Sequence, residues 1–505
     1  MNARIPAFAV FLTSLHAGAQ PIPPIAIDPQ LIPSAANTAL PLQIHGDAIY
    51  LTAGFSGVAG SFAELSWKTR NLFHFGETTS LAVEAGVRLA EIQWGLTRHT
   101  VFGTRWKLGV TASLRRFHYN QEKESSLTAF DRDIRQYRGF QLLDDTIDYT
   151  STGYGFTGFA QYPFHGGLSH FGLVYGYDVS AQHPITAASL EYFSEFAAYH
   201  NRFSGIRTSW IMPSYTWNTV DNPAIPTRGT FFTTRATFAG LGGGVNLIEP
   251  AIEARHYRAG LRKRDVIAFS ARARPIHGYS GQSAPPFDRY YMGGEDEVRG
   301  LNSWSASPIA FVPSTSSINV LNPDGSQRFQ PVIVNNTLTF APVTQTIPIY
   351  RPVALGGDAK VLANAEYRAA LKGPFTLVFF ADMGLNRIVF ADQLRLNQGF
   401  VDLLNQNFPS SSFRNRLGIA PGLQRARMSI GAELRVRLPK IGEPIRFFWA
   451  WNPRAYNQSI PVPVPFDRSL FPNQATFINA MQIYGAPLRF QEPRNSLRFS
   501  VGRTF

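Results

Sequence analysis

The stretch Arg425-Ala426-Arg427-Met428-Ser429-Ile430-Gly431-Ala432-Glu433-Leu434-Arg435-Val436-Arg437-Leu438 alternates without a break. Ala426, Met428, Ile430, Ala432, Leu434, Val436 and Leu438 take one face, and Arg425, Arg427, Ser429, Gly431, Glu433, Arg435 and Arg437 take the other. A helix would scatter both sets around its circumference, whereas a strand separates them. The segment is long for a strand of a globular sheet and suits a tilted membrane strand. The period recurs along the chain. Leu81, Val83, Ala85 and Val87 oppose Ser80, Glu84 and Arg88; Trp106, Leu108, Val110 and Ala112 oppose Arg105, Lys107 and Thr111. Ile267, Phe269, Ala271 and Ala273 oppose Ser270, Arg272 and Arg274; Ile445, Phe447, Trp449 and Trp451 oppose Arg446 and Asn452. Soluble half-buried sheets alternate too, but here the apolar faces often end in aromatics, like an interfacial girdle.

The totals agree with many strands rather than many helices. The 505 residues include 42 Gly, 40 Phe and 19 Tyr, and only 16% are charged, a balance that fits pleated, half-covered surfaces. No uninterrupted apolar run reaches the ~18 residues a membrane helix needs, but membrane strands leave no such run. The absence of cysteine excludes disulfides, thiolate metal sites and cysteine nucleophiles. A net charge of +13 raises nucleic acid or anionic lipid as a partner. The basic residues, however, are spread along strands at every second position and outline a wet sheet face. With no nucleic-acid module or basic-aromatic platform, nucleic acid is not expected as a partner.

At the N-terminus, Arg4, the mostly apolar 5–15 and Ala17-Gly18-Ala19 read either as a secretory signal over 1–19 or as an arbitrary start within a longer protein. Residues 20–47 are proline-rich and aperiodic, a linker, and 48–505 carry the sheet. Sixteen period-two segments are expected as strands: 48–56, 60–69, 78–89, 91–99, 104–117, 152–163, 169–180, 208–219, 230–240, 245–258, 264–277, 357–371, 375–386, 425–438, 444–453 and 495–505. An even number closes an antiparallel barrel and removes exposed edges. Short links, such as 71–77, 164–168, 220–229, 259–263, 372–374 and 439–443, alternate with long ones at 119–151, 182–207, 278–356, 387–424 and 455–494. Outer-membrane barrels keep short turns on the periplasmic side and long loops outside. Within the long links, 187–203 is expected as a short helix and 306–350, rich in Pro, Ser, Thr and Asn, as surface cover.

The longest link contains Phe287-Asp288-Arg289-Tyr290-Tyr291-Met292-Gly293-Gly294-Glu295-Asp296-Glu297-Val298-Arg299-Gly300-Leu301. Alone, this would be a surface turn with solvated charges, bent sharply at Gly293-Gly294. The stretch resembles the loop motif (an aromatic, Gly-Gly, then Val-Arg-Gly-aromatic) of the BamA-type outer-membrane assembly factors and their two-partner secretion relatives. Leu301 stands where that family usually has Phe or Tyr. Phe380-Ala381-Asp382-Met383-Gly384 resembles the family's Phe-x-Asp-x-Gly strand motif, and Glu366 matches the acid of the preceding strand. Periodicity places Glu366 on the polar face with Asp358, Lys360, Asn364 and Arg368, and Asp382 on the polar face of its own strand. Asp221-Asn222-Pro223 with Pro226-Thr227-Arg228-Gly229, and Asn71-Leu72-Phe73 with Gly76, resemble family periplasmic turns. Leu497, Phe499, Val501 and the final Phe505 resemble the C-terminal targeting strand of such barrels.

The resemblance implies an all-β, sixteen-stranded transmembrane barrel of the surface-antigen/BamA type, integral to a Gram-negative outer membrane, with neither cofactor nor metal. It implies that Arg299 folds into the lumen and pairs with Glu366 and Asp382. The implied work is insertion of other barrel proteins, with unfolded outer-membrane proteins as clients and assembly-machinery lipoproteins as candidate partners. The physical feature suited to it is a weak seam between 49–56 and 495–505, where Gly54 and Gly502 lessen packing and an opened edge can template a strand. A polypeptide secretion pore is the alternative within the family; a passive porin or surface antigen is the alternative outside it. The family usually carries periplasmic POTRA domains before the barrel. Residues 1–47 are too short for one, so the chain reads as a barrel-only member or a fragment. No Gly-x-Ser-x-Gly elbow, His-Glu-x-x-His or phosphate-binding Gly-Lys-Ser/Thr loop occurs, so no enzyme is expected. The glycines of 240–244 form a hairpin tip, and the eleven histidines form no ligand set.

Overall fold

The computed structural model describes residues 42–44, 47–56, 60–101, 103–120, 148–164, 168–185, 203–222, 225–302, 305–334, 337–437 and 444–501. The signal-like segment, the helix expected over 187–203 except its last residue, and Gly502 and Phe505 lie outside these residues. Sixteen strands make the wall: Asp47–Ser56, Gly60–Arg70, Glu77–Gly86, Leu89–Arg98, Lys107–Asn120, Asp148–Phe164, Ser169–Pro184, Ile206–Asn218, Gly229–Ala239, Leu247–Ala259, Val266–Pro275, Ala359–Ala370, Phe375–Arg387, Arg427–Val436, Ile445–Trp451 and Asn495–Val501. Each pairs antiparallel with its neighbour in sequence. Every expected strand is present, with ends moved by a few residues. The supposed linker departs from expectation: within it, Leu42–Ile44 is a short strand that pairs with Asp47–Ile49 on the outer edge of the first wall strand.

The wall is inverted relative to a soluble sheet. Arg446 is 0% exposed, while its neighbours Phe447 and Trp449 are 49% and 48% exposed. Glu366, Asp382, Arg427 and Glu433 are buried; Phe379, Met383 and Leu497 face outward. Each large apolar side chain left in water forgoes about 1.5–3 kcal/mol. A belt of dozens is therefore tolerable only when lipid covers it, and the sheet is a transmembrane β-barrel. Around the short links 165–168 and 219–228, Phe164 stacks with Phe171, Tyr215 and Trp217, ring centroids 5.0, 5.8 and 6.3 Å apart. This is the aromatic girdle expected at a membrane interface. The long links all leave from the opposite end.

At that end three links fold together. Ile309–Asn319 and Thr344–Ala354 form a hairpin whose edge also pairs with Gly418–Ile419. One side packs Ala310, Val312 and Val353 against Leu394, Leu396, Val401, Leu404, Phe413 and Leu417 of the 387–424 link, which holds the helix Gln398–Asn407. Farther along the same side, Ile318, Ile347 and Ile349 pack against Phe466, Phe471 and Ala480 of the 455–494 link, which holds the helix Gln474–Tyr484; on the other side, Ile309 and Phe311 pack against Tyr456, Ile460, Leu488 and Phe490 of that link. The expectation of polar surface cover over 306–350 is therefore corrected: much of it is a roof with its own apolar core. The signal was muted because a hairpin covered on both sides reads as a continuous apolar run, Ile309-Ala310-Phe311-Val312, rather than an alternation.

The turn after Ile206–Asn218 is organised around Asp221. Asp221 Oδ1 accepts the backbone N–H groups of Asn222, Thr227 and Arg228 at 2.9, 2.9 and 3.2 Å, and the Thr227 hydroxyl donates to Oδ2. Burial works to raise the Asp221 carboxyl, but these bonds outweigh it and hold the group at about 2, below its ordinary 3.8. The turn is thus fully stabilised above pH 3.8 and loses this support as pH falls through about 2. NMR of the Thr227 and Arg228 amides should show a titration midpoint at about 2; a midpoint at 3.8 would mean that Asp221 does not hold the turn. On the wall, Leu434→Arg should cost roughly 2–4 kcal/mol if the residue lies near the bilayer midplane. Cysteines at 434 and 435 should label from lipid and lumen respectively, and equal labelling of both by water-soluble reagents would contradict the assignment of faces.

Candidate functional site

The loop between Val266–Pro275 and Ala359–Ala370 does not stay at the surface. Isolated bridges Tyr290↔Gly357, Met292↔Ala306 and Gly294↔Val298 fold it back on itself. Gly293, Gly294 and Gly300 have φ of +125°, +105° and +91°, a region side-chained residues avoid. At Gly300 a Cβ would also lie 2.7 Å from Ala450 Cβ, so the glycine lets the turn touch the wall. Val298 and Leu301, both fully buried, join Met292, Ala306 and Leu362 in one apolar cluster. Gly384 makes room for it, since a Cβ there would meet Met292 Sδ at 2.4 Å and Val298 Cγ2 at 2.8 Å.

Arg299 is held between these glycine-made contacts, 0% exposed. Its Nε donates to Asp382 Oδ2 at 2.7 Å and its Nη2 to Asp382 Oδ1 at 2.8 Å, a bidentate fork. Its backbone N–H donates to the same carboxylate at 3.1 Å. Nη1 donates to Glu366 at 2.8 Å and to Glu433 at 3.2 Å. The guanidinium lies 3.7 Å from the centre of the Phe380 ring, a cation–π contact that accounts for the aromatic of the strand motif. The ladder explains the convergence: Asn364 faces Asp382 and Asp382 faces Ser429, so the polar rows of three consecutive strands meet at one height.

The carboxylates are shared further. Arg368 and Arg435 donate to Glu366 at 2.7 and 2.6 Å, Arg435 also to Glu433, and Arg446 to Glu433 at 3.0 Å. Asn364 donates to Asp382 at 2.9 Å. Two of the three acids of the loop, Glu295 and Glu297, are not solvated turn residues, as a lone surface turn would have them; the side chain of Asp296 stays 44% exposed. Glu297 accepts from Lys360 at 2.7 Å, Asp296 lies 3.4 Å from Arg446, and Glu295 is buried, its carbonyl accepting from Arg446 at 3.1 Å. Sequence reasoning therefore found Arg299, Asp382 and Glu366 but missed Glu433 and the surrounding arginines. The available signal was Glu433's place on the polar face of 425–438; which lumen acid meets Arg299 depends on inter-strand register.

The residues expected at the seam are placed less completely. Phe499 sits opposite Phe447, ring centroids 6.4 Å apart, and the backbone of Val501 pairs opposite Ile445. Gly54 pairs opposite Phe62 in the first strand.

With Arg299 and its partners out of water, the buried-pair regime applies: removing one partner strands a charge and costs about 3–5 kcal/mol, against ~0–1 kcal/mol at a surface. Arg299→Ala and Asp382→Ala should each expose Arg289, now 0% exposed, to trypsin, while the heat-resistant barrel survives. The double variant should be little worse than either single one, because both remove the same contact. Arg299→Lys should not restore protection, since one ammonium cannot form the fork. Wild-type resistance in both alanine variants would show that the pair does not anchor the loop.

A sequence profile of the Omp85 superfamily domain matches residues 71–505. The outer membrane protein assembly factor BamA of Nitratidesulfovibrio vulgaris is 28% identical over 176 residues, 34% of this chain and 17% of that protein. This chain therefore aligns with a small part of that relative's length. BamA from Haemophilus ducreyi lacking POTRA domains 1–3 superposes with a TM-score of 0.55 at 13% identity, over 91% of this chain and 70% of the other. CdiB from Acinetobacter baumannii does so with a TM-score of 0.45 at 11% identity, over 91% and 60%. Sixteen lipid-facing strands, the buried loop arginine and a profile match over most of the length lead to one conclusion: the chain belongs to the Omp85 superfamily and is an integral β-barrel of the outer membrane.

Proposed function

We propose that this barrel inserts and folds other outer-membrane β-barrel proteins by templating their strands at its seam. The observation that carries the proposal is the junction of the ends of the wall. Asp47–Ser56 and Asn495–Val501 lie in contact but share no ladder pairing among the described residues, while every other neighbouring pair does. Edge N–H and C=O groups left unpaired in lipid cost several kcal/mol each, so such a junction is predisposed to accept a strand from elsewhere by backbone hydrogen bonding. Leu42–Ile44 already does this at one end, pairing with Asp47–Ile49. Unfolded outer-membrane proteins are the clients on this reading, with assembly-machinery lipoproteins as partners. The loop across the lumen and the roof above it speak against a passive porin.

The chain's lack of cysteine makes a direct test simple. Cysteine pairs spanning 49–56 and 495–501 are introduced, and the pair that cross-links most completely is reconstituted in liposomes with an unfolded barrel client. Locking the seam should abolish client folding, read as loss of the heat-modifiable client band, and reduction should restore it. Complete insertion by the cross-linked barrel would overturn the proposal. Client found free inside the vesicles, instead of in the membrane, would favour the secretion-pore alternative.

A further inference from the structure

The last wall strand carries a second set of bonds that the arginine network does not use. Arg498, on its inner face and 2% exposed, donates through Nη1 to the backbone carbonyl of Leu301 at 2.7 Å, and through Nη2 to Asn302 Oδ1. Ser496, two residues earlier on the same face, donates to the carbonyl of Gly300 at 3.3 Å. Gly300 itself rests against Ser496 and Ala450, with no room for a Cβ. Loop residues 299–302 therefore form a bridge. At one end Arg299 is bound to the strands Ala359–Ala370, Phe375–Arg387 and Arg427–Val436; at the other, three consecutive residues hold the terminal strand.

We infer that Arg498, with Ser496, is a latch that couples the seam to the lumen loop, so that displacement of the last strand and release of the Arg299 site are linked events. The terminal strand has ladder bonds along one edge only, to Ile445–Trp451, among the described residues. The loop is a further anchor. Moving the strand outward pulls a buried guanidinium off two acceptors, which is costly while the loop stays seated. Once the loop shifts, that restraint is gone. Such coupling is reciprocal: whatever loosens one side loosens the other by the same factor. In biological use the inference rests on the proposed opening of the seam; as a physical statement about the barrel it does not.

Hydrogen–deuterium exchange on the purified full chain in lipid nanodiscs tests it without any client. Arg299→Ala, whose side-chain bonds reach no residue of the last strand, should speed exchange of the amides in 495–501 as well as those in 298–302, by roughly 5- to 150-fold, the usual range for coupled sites. Arg498→Ala should speed exchange in 298–302 to a similar degree, and Arg498→Lys should recover part of it. If Arg498→Ala fails to give a heat-resistant barrel, Asn302→Ala removes one acceptor from the loop side and should loosen 495–501. Exchange in 495–501 that stays at the wild-type rate in Arg299→Ala, while 298–302 loosens, would overturn the latch. Failure of the wild-type barrel to insert clients would overturn the proposed function and leave this result standing.

Discussion

A guanidinium placed where water cannot reach it sets the terms for much of this barrel's interior. Removing such a cation from water costs several kcal/mol even after relaxation, and attraction repays this only when the geometry is good and every donor is used. Arg299 donates from each of its three guanidinium nitrogens, to Asp382, Glu366 and Glu433 together. Those carboxylates are themselves buried and need cations in turn, which Arg368, Arg435 and Arg446 supply. The requirement thus spreads from one loop residue to four consecutive strands, from Ala359–Ala370 to Ile445–Trp451. A network of this kind resists piecemeal change, because a partly satisfied buried network is worse than none. It accounts for a loop of this length lying inside the barrel.

The polar lumen and the apolar belt are two results of one pattern. In a strand with period two, a residue turned toward lipid forces its neighbours toward the lumen. The arginines that would be misplaced in a soluble sheet are thereby gathered into an enclosed space where they can meet acids. The roof follows the opposite rule. Its hairpin, Ile309–Asn319 with Thr344–Ala354, buries apolar side chains on both faces between two helix-bearing links. One chain is therefore built for two solvents, and the buried lumen loop is continuous with the roof above it.

What the sequence determined by itself was local. Strict alternation over 425–438 and its fifteen counterparts defined the strands, and it assigned nearly every residue to lipid or lumen because facing depends only on parity along the chain. Short and long links told the two ends of the barrel apart. The resemblance of Val298-Arg299-Gly300 and of Phe380-x-Asp382-x-Gly384 singled out the central ion pair, and the 2.7 and 2.8 Å bonds agree with it. Tertiary structure alone decided which of the many lumen charges meet. Glu433 is 134 residues from Arg299 and Arg498 is 197 from Leu301; their meeting depends on the stagger of several ladders and on how deeply the loop descends. The roof core was hidden for the same reason, since its hairpin is covered by two separate links that come later in the chain. Alternation is a property of neighbours along the backbone, and register is a property of the whole sheet.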